Sequence, residues 1–250
     1  KALVTDRTSA KTGLGKKAHM ALKTTTSYMG CDSFPLGLSL ESQLPTGKGM
    51  AASTADIVAV IQAVATAIDE ELEPEEIAEI AAGIEPTDGI FYPGIVQMNY
   101  MTGELIKSYG NAPKMIIAMF DMGGSINTVE FHSEYHGHED SPKELLEAID
   151  KLDVDFSPRQ IAHVATLSAL ANQKLVPKPH LEEIIKYSAT LGALGVNVAH
   201  SGTMVGVLFA PDESMKHVME AVEKIREKFP ELEYFETERL ISGGYDIEQR

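Results

Sequence analysis

Cysteine, cations and long apolar runs are all scarce in this sequence, and each scarcity removes a class of protein. Cys31 stands alone, so no intrachain disulfide forms and no cysteine-rich metal framework is available. Lys and Arg number 21 against 37 Asp and Glu, a formal net charge of −16. A field of that sign repels a polyphosphate backbone, and nucleic acid is not an expected partner. Apolar stretches such as Met115 to Phe120 fall far short of the roughly 20 residues that a bilayer requires, so no membrane partner is expected either. No secretory leader opens the chain, and the lone cysteine fits a reducing compartment, so cytoplasmic residence is the expectation.

What remains is ordinary globular composition, 44% hydrophobic and 23% charged over 250 residues, enough to bury one large core or two smaller ones. A short helix is expected over 16–28. Alternating Leu36, Leu38 and Leu40 before Pro45 read as a half-buried strand. The Ala-, Ile- and Val-rich run from Ala51 to Asp69 is too apolar for a surface helix and predicts a buried one. Pro74 with Glu75 and Glu76 opens a further helix to about Ile84, with proline at the first position and acids at the positive end of the dipole. Strands over 94–99, 105–109 and 115–121, separated by Gly- and Pro-bearing turns, read as an antiparallel meander. Helices follow over 142–152 and 158–175, then helix 181–191, strand 205–210, helix 214–229 and strand 234–240. The order implies an α+β fold, and the shift in composition places a domain boundary near residue 150.

Three motifs carry chemistry. In the first, Pro45-Thr46-Gly47-Lys48-Gly49-Met50-Ala51-Ala52-Ser53-Thr54-Ala55-Asp56, a strand ends and small residues lead into the buried helix. Free N–H groups and the dipole at such a helix start attract an anion. Gly47 and Gly49 let the backbone turn and approach a ligand, and Ser53 adds a hydroxyl for phosphate or Mg²⁺. Lys48 precedes the second glycine, so this is not the Walker A pattern. On composition alone it reads equally as an ordinary glycine-rich connection.

The second motif, Ile84-Glu85-Pro86-Thr87-Asp88, sets two carboxylates three residues apart across a proline that stiffens the turn. One carboxylate to hold Mg²⁺ and one to orient or deprotonate a hydroxyl is what phosphoryl transfer requires. A bare pair of this kind also serves simply to cap or solvate a loop. The third motif, Gly195-Val196-Asn197-Val198-Ala199-His200-Ser201-Gly202-Thr203-Met204-Val205-Gly206, says by itself only tight turn before an apolar strand.

The first motif resembles the Pro-x-x-x-Gly-(Leu/Met)-(Gly/Ala)-Ser-Ser-x-Ala phosphate loop of the galactokinase, homoserine kinase, mevalonate kinase and phosphomevalonate kinase (GHMP) superfamily. Its Lys-Gly-Met start and Ser-Thr-Ala-Asp ending are similar to the L-threonine kinases of cobalamin metabolism, as is the Ile-Glu-Pro-Thr-Asp string. The resemblance runs from about Leu36 to the C-terminus and includes Ala165-Thr166-Leu167-Ser168-Ala169 and Leu175-Val176-Pro177-Lys178-Pro179. It implies a two-lobed fold: residues 1–150 as an ATP-binding lobe with a mixed sheet and phosphate loop, and 151–250 as a ferredoxin-like lobe.

By the same resemblance Pro45, Gly47, Lys48, Gly49, Met50, Ala51, Ala52, Ser53 and Thr54 bind nucleotide, and Ser53 and Glu85 hold the metal. Asp88 is the catalytic base or orienter. Thr87, Asp88, Asn197, His200, Ser201 and Gly202 contact substrate, with Thr128 and His132 as weaker contacts. The implied cofactors are ATP and Mg²⁺, and the implied reaction makes O-phospho-L-threonine from L-threonine. A homodimer stays open, as do homoserine or a mevalonate-type alcohol as acceptor and a noncatalytic ligand-binding relative.

Two departures stand out. Ala52 replaces the first serine of the loop, and no match exists for the Pro-Ala-Ser-Cys-Gly-Glu-like motif with which relatives begin. The expectation is that roughly fifty to sixty family residues precede Lys1 or have been lost. His132, His136 and His138 among Glu134, Glu139 and Asp140 lack a ligand spacing on a helix face and read as a solvated loop rather than a metal site.

Overall fold

A computed structural model describes residues 1–5, 11–12, 14–31, 34–124 and 141–248. Thr128 and the histidines 132, 136 and 138 lie outside the described residues. The fold is α+β, and contacts divide it into two compact units. The first comprises residues 1–44, 51–111 and 242–250, and the second residues 45–50 and 112–241.

In the first unit a mixed three-stranded sheet runs β1 (Ala2–Thr5), β3 (Gly37–Leu40), β2 (Lys11–Thr12), with β1 antiparallel and β2 parallel to β3. The helices are α1 (Lys16–Tyr28), α2 (Ala52–Ala67) and α3 (Pro74–Ala82). Leu22, Leu38, Ile57, Ile61, Ile77, Ile80 and Phe91 form their shared core. Burying each large aliphatic side chain there contributes about 1.5–3 kcal/mol. The start of α3 follows the local code: Pro74 opens it, and Glu73 and Glu76 cap each other's backbone N–H groups in a capping box.

The expected three-stranded meander does not form. β4 (Ile95–Met98) and β5 (Leu105–Gly110) pair with each other, but β6 (Ile116–Asp121) joins a second sheet in the other unit. That sheet has the order β7 (Gly195–Val198), β8 (Met204–Phe209), β6, β9 (Glu233–Arg239), antiparallel throughout. The reason is burial on both sides. Ile116, Ala118 and Phe120 face a core with Val205, Val207 and Phe209, while Ile117 and Leu208 pack against a second group with Met115 and Ala162. A strand apolar on both faces belongs in the middle of a sheet, not at the edge of a hairpin.

Counted along the chain, the four strands stand in the order 2-3-1-4, the split βαβ pattern of a ferredoxin-like unit. Because β6 belongs to it, the chain passes from the first compact unit to the second between residues 111 and 112. Helices α4 (Lys143–Asp150), α5 (Pro158–Asn172) and α6 (Leu181–Thr190) lie between β6 and β7 in the chain, and α7 (Met215–Lys228) between β8 and β9. Ser157 and Ser214 cap α5 and α7 by accepting from the backbone N–H groups of Gln160 and His217. Lys178 is buried in the turn between α5 and α6, where burial pushes its ammonium down to about 8. No helix among the described residues is long and apolar enough to cross a membrane.

Candidate active site

The glycine loop approaches α2 with an alternating backbone. φ is positive at Gly47 (74°), Gly49 (79°) and Ala51 (54°), and at neither Lys48 nor Met50. Alternation of hand is how consecutive N–H groups come to face one concavity that suits an anion. Ala51 pays for its left-handed conformation, about 1–2 kcal/mol for a residue with a Cβ. Strain of this kind persists only where the surroundings over-determine it. Directly after Ala51, α2 begins with no side-chain cap, so the first N–H groups of the helix keep their capacity for a ligand.

In the first unit, the start of α2 and the Glu-Pro-Thr-Asp corner come together. The corner is fixed at both ends. The Glu85 N–H donates to the Ala81 carbonyl at the end of α3 (3.1 Å), and the Thr87 N–H donates to the Tyr100 carbonyl (2.9 Å). Pro86 between them prevents α3 from continuing. The Ser53 hydroxyl donates to Glu85 Oε1, and the Asp88 N–H donates to Thr54 Oγ1 at 3.3 Å. Two adjacent residues of one helix turn thereby hold residues 32 and 34 positions away.

A third partner joins them. Lys17 Nζ on α1 donates to Ser53 Oγ at 2.9 Å and forms an ion pair with Glu85 Oε2. The Glu85 side chain is 12% exposed and that of Lys17 38%. Sequence reading placed α1 correctly but gave Lys17 no role, because nothing in the pattern of an amphipathic helix marks which lysine turns inward.

In the second unit the loop is locked by another lysine. Lys48 Nζ pairs with Asp121 Oδ2 at 2.5 Å and donates to the Gly124 carbonyl at 2.7 Å. Asp121 also accepts from the Thr203 hydroxyl (2.6 Å) and the Gly123 N–H (3.0 Å). Burial pushes this carboxyl up, but Lys48, Thr203 and Gly123 outweigh it and hold it below the ordinary range. The Lys48 carbonyl accepts from the Thr203 N–H at 3.0 Å. A Cβ on Gly202 would lie 2.1 Å from that carbonyl oxygen, and one on Gly49 2.4 Å from the Ala199 Cβ. Glycine is required at both positions for the loop and the third motif to touch.

The other sequence candidates are distributed as follows. Thr87 is buried at 2% exposure, with no hydrogen-bond partner for its hydroxyl among the described residues, whereas the Asp88 side chain is exposed. Asn197 is exposed on β7. His200 places a ring nitrogen 3.1 Å from Ser168 Oγ, and its carbonyl accepts from Asn172 Nδ2 at 3.2 Å. Ser201 is half-buried beside Gly202, the member of that group seen against the loop.

The family profile described as GHMP kinases N terminal domain matches residues 14–91, and that described as GHMP kinases C terminal matches residues 144–228. The first match begins upstream of Leu36, so the resemblance includes α1 and Lys17. An L-threonine kinase of Citrobacter freundii is 25% identical over 84% of this chain and 75% of its own length. An L-threonine kinase of Salmonella typhimurium is 26% identical over 68% of this chain and 59% of its own length. Among solved structures, the mevalonate kinase of Methanococcus jannaschii superposes with a TM-score of 0.67 at 19% identity, over 92% of this chain and 76% of that one. With both family profiles in chain order over more than half of its residues, and a fold that agrees, this chain belongs to the GHMP kinases.

Proposed function

We propose that the chain transfers the γ-phosphoryl group of ATP to the side-chain hydroxyl of L-threonine, giving the O-phospho-L-threonine from which the aminopropanol linker of cobalamin is built. The observation that carries this reading is the convergence of Ser53 and Thr54, at an uncapped helix start, with Glu85 and the Asp88 backbone. The choice of threonine rests on the two curated relatives, both named L-threonine kinase.

The donor chemistry fits the cofactors. Ser53 and Glu85 offer hard oxygens, as Mg²⁺ prefers. Among the described residues no three His, Cys, Asp or Glu side chains gather around a metal. A site with so few protein ligands suits a cation that also takes phosphate and water oxygens. When bound, Mg²⁺ neutralises phosphate charge.

The chain's own residues do the rest. The N–H groups at the uncapped start of α2 are offered to the phosphates, and in the second unit Lys48 holds the glycine loop in shape through Asp121. Asp88 orients the acceptor hydroxyl and takes its proton, from a turn whose backbone is fixed to Thr54. Thr87 is the candidate acceptor contact in the first unit, and Asn197, His200, Ser201 and Gly202 are the candidates in the second.

The acceptor is tested by ADP formation with L-threonine, L-homoserine and mevalonate in parallel, with phosphothreonine identified by mass spectrometry. Threonine is expected to give the highest kcat/KM. A higher value for either of the other alcohols overturns the acceptor and leaves the phosphotransferase. ATP binding without turnover of any of them favours a noncatalytic relative.

A further inference from the structure

Lys17 occupies the oxygens that the kinase reading assigns to a divalent cation. Its ammonium donates to Ser53 Oγ at 2.9 Å and pairs with Glu85 Oε2, while the serine hydroxyl donates to Glu85 Oε1. Each of the three groups satisfies the other two. A cation bound by Ser53 and Glu85 takes the ground on which the ammonium stands, and two like charges at that spacing repel. Glu85 is only 12% exposed, so solvent screens that repulsion weakly.

Lys17 is also able to leave. Its side chain is 38% exposed, and α1 is anchored through Ala18, Ala21 and Leu22 rather than through the lysine. Four methylenes let the ammonium swing while the helix stays packed.

We infer that Lys17 is a positioning residue that holds the cation site in the nucleotide-free protein, with ammonium and divalent cation as alternative occupants of Glu85 and Ser53. The inference rests on the assignment of those two residues to the cation in the proposed kinase reaction. Its consequence is an order of events. The protein without nucleotide binds a bare divalent cation poorly. A metal and a polyphosphate arriving together supply both the missing oxygen ligands and a new counter-charge for the displaced ammonium.

The test is a titration of the nucleotide-free full chain with Mn²⁺, read by electron paramagnetic resonance of the free ion, on wild type, Glu85→Gln, Lys17→Met, Lys17→Arg and Lys17→Met/Glu85→Gln. Thermal melts establish which variants are folded. Lys17→Met is expected to bind Mn²⁺ at least about tenfold more tightly than wild type, and the double variant to lose that gain. Lys17→Arg keeps a cation on Glu85 and is expected to stay within about threefold of wild type.

A folded Lys17→Met that binds Mn²⁺ no better than wild type overturns the inference. Tight binding by wild type or by Lys17→Arg at a site that Glu85→Gln abolishes overturns it as well, whether or not the methionine variant folds. Phosphothreonine formation is measured on the same wild-type protein. Its absence with the Mn²⁺ gain intact removes the threonine acceptor alone, and the converse removes the exchange alone.

Discussion

Each compact unit holds one lysine–carboxylate pair near the glycine-rich segment or the helix that follows it, Lys17 with Glu85 in one and Lys48 with Asp121 in the other. They are alike in composition and differ in what else holds the carboxylate. Asp121 is surrounded by fixed partners: the Thr203 hydroxyl, the Gly123 N–H and a lysine that is itself tied to the Gly124 carbonyl. Glu85 is held by two side chains, Lys17 and Ser53. A carboxylate whose partners include backbone groups cannot exchange them without refolding a loop. One held by a half-exposed lysine and a serine hydroxyl exchanges them by rotation of side chains. The first arrangement suits a scaffold and the second a candidate site.

The sharpest way to break that comparison is to neutralise the site. Glu85→Gln keeps size and hydrogen bonding but removes the charge, and is expected to lower kcat by about a hundredfold or more with the melting temperature nearly unchanged. A loss of stability in place of activity would make Glu85 a scaffold residue like Asp121. Next in size is Gly202→Ala, whose Cβ meets the Lys48 carbonyl oxygen at 2.1 Å. The loop must give way, at a cost of about 2 kcal/mol in denaturant unfolding, with a higher KM for ATP.

Asp88→Asn is expected to retain ATP binding by calorimetry and to lose at least about tenfold in turnover. Undiminished turnover removes its assigned role. The smallest effect is Asp121→Asn, about 1 kcal/mol of stability at neutral pH, since the amide still accepts hydrogen bonds from Thr203 and Gly123. Because the folded Asp121 carboxyl lies below its ordinary value, its contribution is present above the unfolded value and is lost as pH falls through the folded one. Wild type and Asp121→Asn should therefore converge in stability on acidification below about pH 4. A difference that persists there would show that the charge is not what Asp121 contributes.

Legibility followed the range of the interaction. The proline start of α3 was visible because capping acts within a few residues, whereas the helix over 16–28 was expected without a strong capping or periodic signal. The run ending at Phe120 was visible as a strand but was placed in the wrong sheet, since apolarity on both faces reports burial and not the identity of the neighbours. β7 went unread inside the third motif, where Gly195, Asn197 and a following turn masked a four-residue strand that pairs with β8. The glycine-rich loop and the Glu85–Asp88 corner were found as separate strings. Their meeting through Ser53 and Thr54 was an expectation that no local pattern contained.

By itself the sequence determined the helices and the longer strands, the helix start with its small residues and glycines, and the two carboxylates set rigidly across Pro86. These depend on backbone sterics and on spacing along the chain. Only the tertiary structure decided that Glu85 meets Ser53 and Lys17, that Lys48 is bound to Asp121, and that β6 is central to its sheet. Those outcomes join residues tens of positions apart. Which charges end side by side is settled by how the helices and strands bury their apolar faces, and a one-dimensional pattern does not carry that choice.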